Sequence, residues 1–439
     1  MSLTNRRLSE SVLMQYDVLN GTTVDYYDAD AKNILDRWGP MAEWARARAD
    51  AELEPFCKYT GSAIAPRLTA YDRRGRAYQG VNFASQDYLG LSHNHRIVEA
   101  AKDAADALGV HSAGSAALMG LTRKTLELEQ RLAAFVETAD ATVFPTGWGA
   151  GFGTIRALIK PSDHIVIDVL AHACLQEAAG LSTANVHRFP HCSSEGVERR
   201  LKRIRQSDPD AGILVVTETL FSMDSDVANI PEMQAICRQY QATLLVDVAH
   251  DLGAIGDNGR GFLEIQNALG GVDIVMGSFS KTFASNGGFV ASDHPALKWA
   301  LRYGCGPLTF SNALSPVQAS TVLACLDIVQ SDEGKVRRDR LMNNALYARD
   351  QLSALGFELL GEPSAIVPVI LGDNETSRLM TNRAMRSGAI VNLVEYPAVA
   401  KNACRWRIQL MSEHTKADID ELTTIAASCR NGVASAKVA

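Results

Sequence analysis

One lysine, Lys281, stands where an apolar strand meets a turn of small residues. The strand begins at Val272, and Gly277, Ser278 and Ser280 lie on the amino-terminal side of the lysine. A lysine that is partly desolvated at the mouth of a buried strand can offer a neutral amine to a carbonyl group, which Schiff-base chemistry requires. A lysine after a strand is more often a solvated surface residue, so this hypothesis depends on what lies near it.

Four other apolar runs also end in polar side chains. Open α/β sheets bind their ligands at the carboxyl ends of parallel strands, so the polar residues that follow all five runs are expected to meet at one site. Near-continuous apolar runs separated by helical stretches predict a doubly wound, mostly parallel sheet that is buried on both faces. The run 141–144 leads to Thr146, Gly147 and Trp148, and the run 165–168 leads to His172. The run 213–218 leads to Ser222, and the run 243–247 leads to His250.

Five motifs in this order resemble those of the α-oxoamine synthases. These are pyridoxal-phosphate enzymes of aminotransferase fold type I, and they include serine palmitoyltransferase and 8-amino-7-oxononanoate synthase. The resemblance runs from Asn-Phe-Ala-Ser-Gln-Asp-Tyr-Leu-Gly-Leu at 82–91 to Arg-Trp-Arg-Ile-Gln-Leu-Met-Ser-Glu-His at 405–414, about three quarters of the chain. It implies an α/β fold with a mostly parallel sheet sandwiched by helices and a smaller α+β C-terminal domain.

The resemblance also implies roles for four catalytic residues. Lys281 is expected to hold pyridoxal phosphate, and Asp247 to keep a proton on the ring nitrogen of the cofactor. An ion pair at about 3 Å in an effective dielectric near 20 is worth roughly 5 kcal/mol before desolvation, enough to hold that proton. His250 is expected to hydrogen-bond the 3′ oxygen, and His172 to stack on the ring. The alternatives to these roles are that Asp247 caps a turn and that His250 and His172 are ordinary core or loop histidines.

Further residues are implied in cofactor binding. The turn at Thr146, Gly147 and Trp148 precedes a predicted helix, and glycine-rich helix starts favour anions such as phosphate. A contact from the neighbouring subunit is part of the family pattern, so the resemblance implies a homodimer. The other expected contacts to the cofactor are Ser222, Ser278, Ser280 and, from the neighbouring subunit, Thr309 and Ser311.

Three positions depart from the family pattern. Ala116 replaces an arginine of the glycine-rich segment, and Gln86 replaces the asparagine of the Asn-Asp-Tyr-Leu-Gly motif. Glu395 stands where many members place the arginine that binds the substrate carboxylate, and a carboxylate there is expected to repel the amino acid. Arg405 and Arg407 are the nearest candidates to replace that arginine, and Gln86 is expected to bind substrate with them.

Composition and charge limit the classes of function and the domain organisation that the chain can have. With 439 residues, the chain is expected to form a large domain and a smaller one. Its net charge of −7 argues against nucleic-acid binding. The predicted division is an N-terminal extension (1–65), a large cofactor domain (66–304) and a small domain (305–439). Eight cysteines without metal-ligand spacing predict reduced thiols in the cytoplasm and no metal site. Neither a signal peptide nor a membrane span is expected.

The predicted reaction is a decarboxylative condensation. A small neutral amino acid (serine, alanine or glycine) and an acyl thioester of coenzyme A or acyl carrier protein would give an α-amino ketone, CO₂ and free thiol, which makes the protein a C-acyltransferase. One alternative is an aminotransferase or carbon–carbon lyase of the same fold. Another is a non-catalytic subunit of a heterodimeric synthase, but such a subunit has no reason to keep Lys281.

Overall fold

A computed structural model of the chain describes residues 16–438. The part of the expected N-terminal extension before residue 16 lies outside the described residues. The chain divides into two compact units, a larger one formed by 86–342 and a smaller one formed by the residues on either side. The domain boundaries expected after residues 65 and 304 differ from this division, because 66–85 belong to the smaller unit and 305–342 to the larger one.

Strands and helices occur in both units. The strands are β1 (Tyr59–Thr60), β2 (Arg67–Tyr71), β3 (Ala77–Asn82), β4 (Asp140–Phe144), β5 (His164–Asp168), β6 (Val186–Phe189), β7 (Ile213–Glu218), β8 (Thr243–Asp247), β9 (Ile274–Ser278), β10 (Gly288–Ser292), β11 (Ile366–Gly372), β12 (Ala389–Ile390), β13 (Leu393–Val394) and β14 (Cys404–Gln409). The helices are Gly39–Asp50, His95–Leu108, Arg123–Phe135, Gly147–Leu158, Ala173–Ser182, Ser194–Ser207, Ile230–Gln239, Gly261–Ile265, Leu297–Gly304, Gly306–Thr309, Pro316–Val329, Asp332–Ala354, Asn374–Arg386 and Lys416–Val438, and Asp36–Trp38 is a short 3-10 helix.

The larger unit is built on one sheet in the order β4-β10-β9-β8-β7-β5-β6. Strands β6, β5, β7, β8 and β9 run parallel to one another, whereas β10 is antiparallel to both β9 and β4. Every residue of β5 and β7 is buried, as a sheet covered on both faces requires. The predicted α/β class with a mostly parallel sheet is therefore confirmed.

Two helices of the larger unit begin at predicted site residues. The Thr146 hydroxyl accepts a hydrogen bond from the Gly149 amide at 2.9 Å and caps the helix after β4. His172 caps the helix after β5 with its Nδ1 atom. Side-chain acceptors at these positions satisfy amides that have no partner within the helix. Capping therefore fixes both residues at the carboxyl edge of the sheet.

The smaller unit holds a four-stranded sheet, β1-β2-β3-β12, and a three-stranded sheet, β11-β14-β13. Its last helix begins with a reciprocal cap, in which the Thr415 amide donates to Asp418 Oδ2 at 2.8 Å and the Asp418 amide donates to Thr415 Oγ1 at 3.2 Å. Strands β12 and β13 are close in sequence but belong to different sheets: β12 pairs with β3, and β13 pairs with β14. The helices Pro316–Val329 and Asp332–Ala354 are separated by a break at 330–331.

Within residues 16–438, no helix combines the length and the apolar character that crossing a membrane requires. All eight cysteines are free thiols.

Candidate active site

A cavity of about 260 Å³ lies at the carboxyl edge of the sheet in the larger unit. Its walls come from the last residue of β7, Glu218, and from the ends of β8 and β9 and the segments that follow β4, β5, β8 and β9, so the five apolar runs do converge on one place. The predicted site residues that line it are Thr146, Gly147, Trp148, His172, Asp247, His250, Ser278, Ser280 and Lys281.

Two buried carboxyl groups lie side by side in this cavity. Glu218 ends β7 and Asp247 ends β8, and the two residues are register partners. Burial raises the pKa of Glu218 well above its ordinary value, and the neighbouring Asp247 raises it further. Burial also raises the pKa of Asp247, but Lys281 and His172 oppose that rise. Burial and Asp247 therefore favour the neutral form of Glu218, whereas Lys281 and His172 favour the charged form of Asp247.

His172 is held by its backbone as well as by its side chain. Its amide donates to Glu218 Oε1 at 2.5 Å, and its Nδ1 atom accepts from the Cys174 amide at 3.3 Å. Its ring meets the ring of Trp148 edge-on, with centroids 5.9 Å apart. Two aromatic rings thus stand at the cavity wall, where a planar ligand can stack.

His250 is buried, and its Nδ1 atom lies 3.0 Å from the hydroxyl of Tyr88. The contact orients the imidazole, because a ring nitrogen that is engaged by a hydroxyl fixes the direction of the other nitrogen. Tyr88 belongs to the Gln-Asp-Tyr-Leu-Gly segment, where the sequence had singled out Gln86 instead.

One wall of the cavity is suited to an anion. The helix Gly147–Leu158 begins there, and Ser278 Oγ lies 2.7 Å from Ser280 Oγ. A Cβ atom on Gly147 would lie 2.5 Å from the side chain of Ser278, so this close approach requires glycine. Amides of a helix start together with two hydroxyls bind phosphate well. With Asp247 also in the cavity wall, the donor set fits a cofactor that carries both a phosphate and a protonated ring nitrogen.

Comparison with known proteins agrees with this geometry. Residues 78–425 match the model of the aminotransferase class I and II family. A serine palmitoyltransferase of Sphingobacterium spiritivorum is 35% identical over 77% of this chain and 84% of its own length. An 8-amino-7-oxononanoate synthase of Geobacter metallireducens is 33% identical over 80% of this chain and 88% of its own length. The chain belongs to the α-oxoamine synthase family. A solved serine palmitoyltransferase of S. paucimobilis, with bound pyridoxal phosphate and myriocin, has a TM-score of 0.85 at 30% identity and covers 92% of this chain and 100% of its own.

The α-oxoamine synthases are pyridoxal-phosphate enzymes of fold type I, so the predictions of family, of fold type and of cofactor are confirmed. The individual roles of the site residues stay predictions, since a shared family does not assign them one by one.

Four predicted residues of the larger unit are not among the described residues that line the cavity. Gln86 and Ser222 are both half-buried, and Ser222 lies in the loop after β7. The Thr309 hydroxyl donates to the carbonyl of Arg302 at 3.0 Å, and Ser311 is exposed. Their predicted contacts with the cofactor or substrate stay predictions.

The two predicted substrate arginines lie in the smaller unit. Arg405 and Arg407 are two residues apart on β14, so their side chains leave the strand on the same face. Both are buried, and burial lowers the pKa of Arg405. Their contact with a substrate carboxylate stays a prediction.

Glu395 requires a correction. Its two carboxylate oxygens each lie 2.9 Å from a guanidinium nitrogen, one of Arg48 and one of Arg378. All three side chains are buried within the smaller unit. The expectation that Glu395 presents a repelling charge to the amino acid is therefore wrong, because two cations already compensate that charge.

Sequence reasoning missed several residues of the cavity. Glu218 was identified only as the end of a strand, although it stands at the end of β7 as Asp247 stands at the end of β8. Cys174 and Asn286 also line the cavity. Burial raises the pKa of the Cys174 thiol, which excludes it as a nucleophile near neutral pH. Glu218 could be identified only from its position beside Asp247 on the neighbouring strand, and that requires knowing the order of the strands in the sheet.

Two groups of side chains in the larger unit come within metal-ligating distance of one another. They are Asp168, His191 and Cys192, and His191, Asp224 and Asp226, with ligand atoms within 4.8 Å. His191 belongs to both groups, and its two ring nitrogens face carboxylates in opposite directions. The predicted absence of a metal stays a prediction.

Proposed function

We propose that the protein is a pyridoxal-phosphate-dependent C-acyltransferase that condenses an amino acid with an acyl thioester. The products are an α-amino ketone, CO₂ and free thiol. The observation that carries the proposal is one cavity that joins a lysine, a buried charged carboxylate and an anion-binding helix start. This cavity occurs in a chain that is 35% identical to a serine palmitoyltransferase.

When bound, pyridoxal phosphate supplies an electron sink for the negative charge that develops at the α-carbon of the amino acid. Asp247 keeps a proton on the ring nitrogen, and its burial strengthens this ion pair. Lys281 would hold the cofactor through its amine and would accept the α-proton of the amino acid. His172 covers the ring, and His250 and Ser222 donate to the 3′ oxygen.

The phosphate is assigned to the wall formed by Thr146, Gly147 and Trp148 with Ser278 and Ser280. The amides of the helix start and the paired hydroxyls support this assignment. At the substrate, Arg405 or Arg407 binds the carboxylate of the amino acid, because a guanidinium gives a directed, two-point contact with a carboxylate. Gln86 binds the substrate beside it.

A homodimer is part of the proposal. Leu118, Met119 and Phe310 are 86%, 90% and 89% exposed. They belong to one region of the larger unit, because Ser115 and Asn312 join their two segments in a β-bridge. Three almost fully exposed apolar side chains in one region support a protein interface. In a homodimer, Thr309 and Ser311, on either side of Phe310, would reach the neighbouring cofactor.

A location in the cytoplasm is proposed as well. All eight cysteines are free thiols, and free thiols persist in a reducing compartment.

The test is a stoichiometric assay of the purified protein. Carboxyl-labelled serine, alanine or glycine is supplied with a panel of acyl thioesters of coenzyme A and acyl carrier protein. We expect CO₂ and free thiol in equal amounts. Lys281→Ala should abolish both, whereas Lys160→Ala, at an exposed lysine of the same unit, should leave them unchanged. Keto-acid formation without thiol release would favour the aminotransferase alternative, and turnover by the Lys281→Ala variant would refute the site.

A further inference from the structure

His191 joins two carboxylates at the carboxyl edge of the larger sheet. Its Nδ1 atom lies 2.9 Å from Asp168 Oδ1, and its Nε2 atom lies 3.1 Å from Asp226 Oδ2. A carboxylate accepts hydrogen bonds, so both ring nitrogens act as donors, and only the imidazolium has two donors. His191 is therefore a charged bridge between two anions.

On one side, the bridge fixes the turn that carries His172. Asp168 is fully buried at the end of β5. Besides His191, its carboxylate accepts the amides of Leu170 at 2.9 Å and Cys192 at 2.8 Å. Its backbone carbonyl accepts the amide of Ala171 at 3.1 Å. The conformation of 168–172 is thus set around the carboxylate that His191 neutralises, and His172 is the last residue of that turn.

On the other side, the bridge fixes the loop at 221–227 after β7. The Phe221 amide donates to the carbonyl of Asp226 at 2.9 Å, which closes the loop. The ring of Phe221 meets the imidazole of His191 edge-on, with centroids 4.3 Å apart. This loop carries Ser222. One histidine thus contacts the segments that follow β5 and β7, which are neighbouring strands of the sheet.

We propose that His191 is a positioning residue that holds the turn of His172 and the loop of Ser222 in register at the edge of the cofactor cavity. The link to catalysis depends on the function proposed above, in which His172 and Ser222 face the cofactor, whereas the link between the two segments does not.

The electrostatics support the charged form. Burial alone lowers the pKa of His191, but the hydrogen bonds to Asp168 and Cys192 raise it to about 10. The imidazole therefore carries its proton at neutral pH. A neutral side chain at this position would leave Asp168 buried with an uncompensated charge, which is costly.

The first test is amide hydrogen exchange of the holoenzyme, which needs no turnover. In His191→Asn, we expect exchange of 168–173 and 221–227 to accelerate by about tenfold, the change that a loss of about 1.4 kcal/mol in local stability produces. Strands β8 and β9 should be unaffected. His187→Asn is the matched control, because His187 is a half-buried histidine of the neighbouring strand that stacks on His164 instead. Acceleration confined to 190–194 would overturn the proposal.

The second test separates positioning from stability. If His191→Asn does not fold, Asp226→Asn takes its place, because the Asp226 side chain is 36% exposed and tolerates the change. We expect the KM for the amino acid to rise about fivefold while the KM for the acyl thioester stays within about twofold, since the contacts that move are those of His172 and Ser222 with the cofactor, where the amino acid binds. An equal change in both constants, or none in either, would refute the positioning role. Faster exchange in a protein without acyltransferase activity would reject the proposed function alone and leave the bridge standing.

Discussion

Replacing Glu395 with glutamine should destabilise the smaller unit and not improve amino-acid binding. Glu395 lies between Arg48 and Arg378, with a 2.9 Å contact to each. Glutamine keeps the volume of the side chain but removes the only carboxylate within salt-bridge distance of the described Arg378 side chain. Two buried guanidinium groups would then face each other across a neutral amide.

The size of the effect follows from burial. Both arginine side chains are 0% exposed, so neither can recover its hydration when the carboxylate is lost. Removing one partner of a buried ion pair costs about 3–5 kcal/mol. Arg378 still donates to the carbonyls of Leu19 and Gly21, and Arg48 still lies 4.4 Å above the ring of Trp44. The lower end, about 3 kcal/mol, is therefore expected, which corresponds to a fall in Tm of about 6–12 °C for a unit of this size.

Urea and thermal unfolding of the full chain measure this difference. Glu421→Gln is the control, because Glu421 pairs with Arg67 in the same unit while the two side chains are 37% and 54% exposed. An exposed pair contributes less than about 1 kcal/mol, so the control should unfold close to the wild type. Burial lowers the pKa of Arg48 while Glu395 opposes that fall, so the loss of this carboxylate leaves the buried charge of Arg48 less favourable in the Glu395→Gln variant.

Equal stability of the Glu395→Gln variant, the control and the wild type would refute this reasoning. If that variant also bound the amino acid more tightly, the original expectation that Glu395 faces the substrate would be restored.

Two further predictions concern protonation states. Asp247→Asn should lower kcat by about a hundredfold, the effect of about 3 kcal/mol, whereas Glu218→Gln should keep most activity because the raised pKa of Glu218 favours its neutral form, which glutamine resembles; equal losses in steady-state assays would contradict this prediction. Burial lowers the pKa of His414 to about 4, and its Nδ1 and Nε2 atoms contact the Met411 amide and the Asn82 carbonyl. Its contribution to stability should be full above about pH 6.5 and fall as the pH drops towards 4, so urea midpoints should decrease over this range and do so less steeply in His414→Gln; identical slopes would contradict the prediction.

Local sequence was sufficient to find most of the cofactor cavity. Five strands of the larger sheet (β4, β5, β7, β8 and β9) are apolar runs, and the residue types at the end of each run reveal which end carries chemistry. Lys281, Asp247 and His250 were predicted in this way, and all three line one cavity. The antiparallel strand β10 was missed, because Gly288–Ser292 is short and directly follows the small residues after Lys281.

Glu218 and His191 show where local sequence is insufficient. Glu218 matters because it is the register partner of Asp247, and the sequence does not state which strands are neighbours. His191 matters because it contacts Asp168 and Asp226, which follow two other strands. Both depend on strand order, which long-range packing determines.

The surroundings of Glu395 also depend on distant segments of the chain. A motif comparison shows that a carboxylate has replaced an arginine, and charge alone then predicts repulsion of an anionic substrate. The sign of that inference depends on what else is buried nearby. In the folded chain, Arg48 comes from the helix Gly39–Asp50 and Arg378 from the helix Asn374–Arg386, and both guanidinium groups pair with Glu395. Arg48 also lies 3.8 Å from Glu54. A residue type at an aligned position therefore fixes a charge, whereas the partners supplied by distant segments decide whether a substrate encounters it.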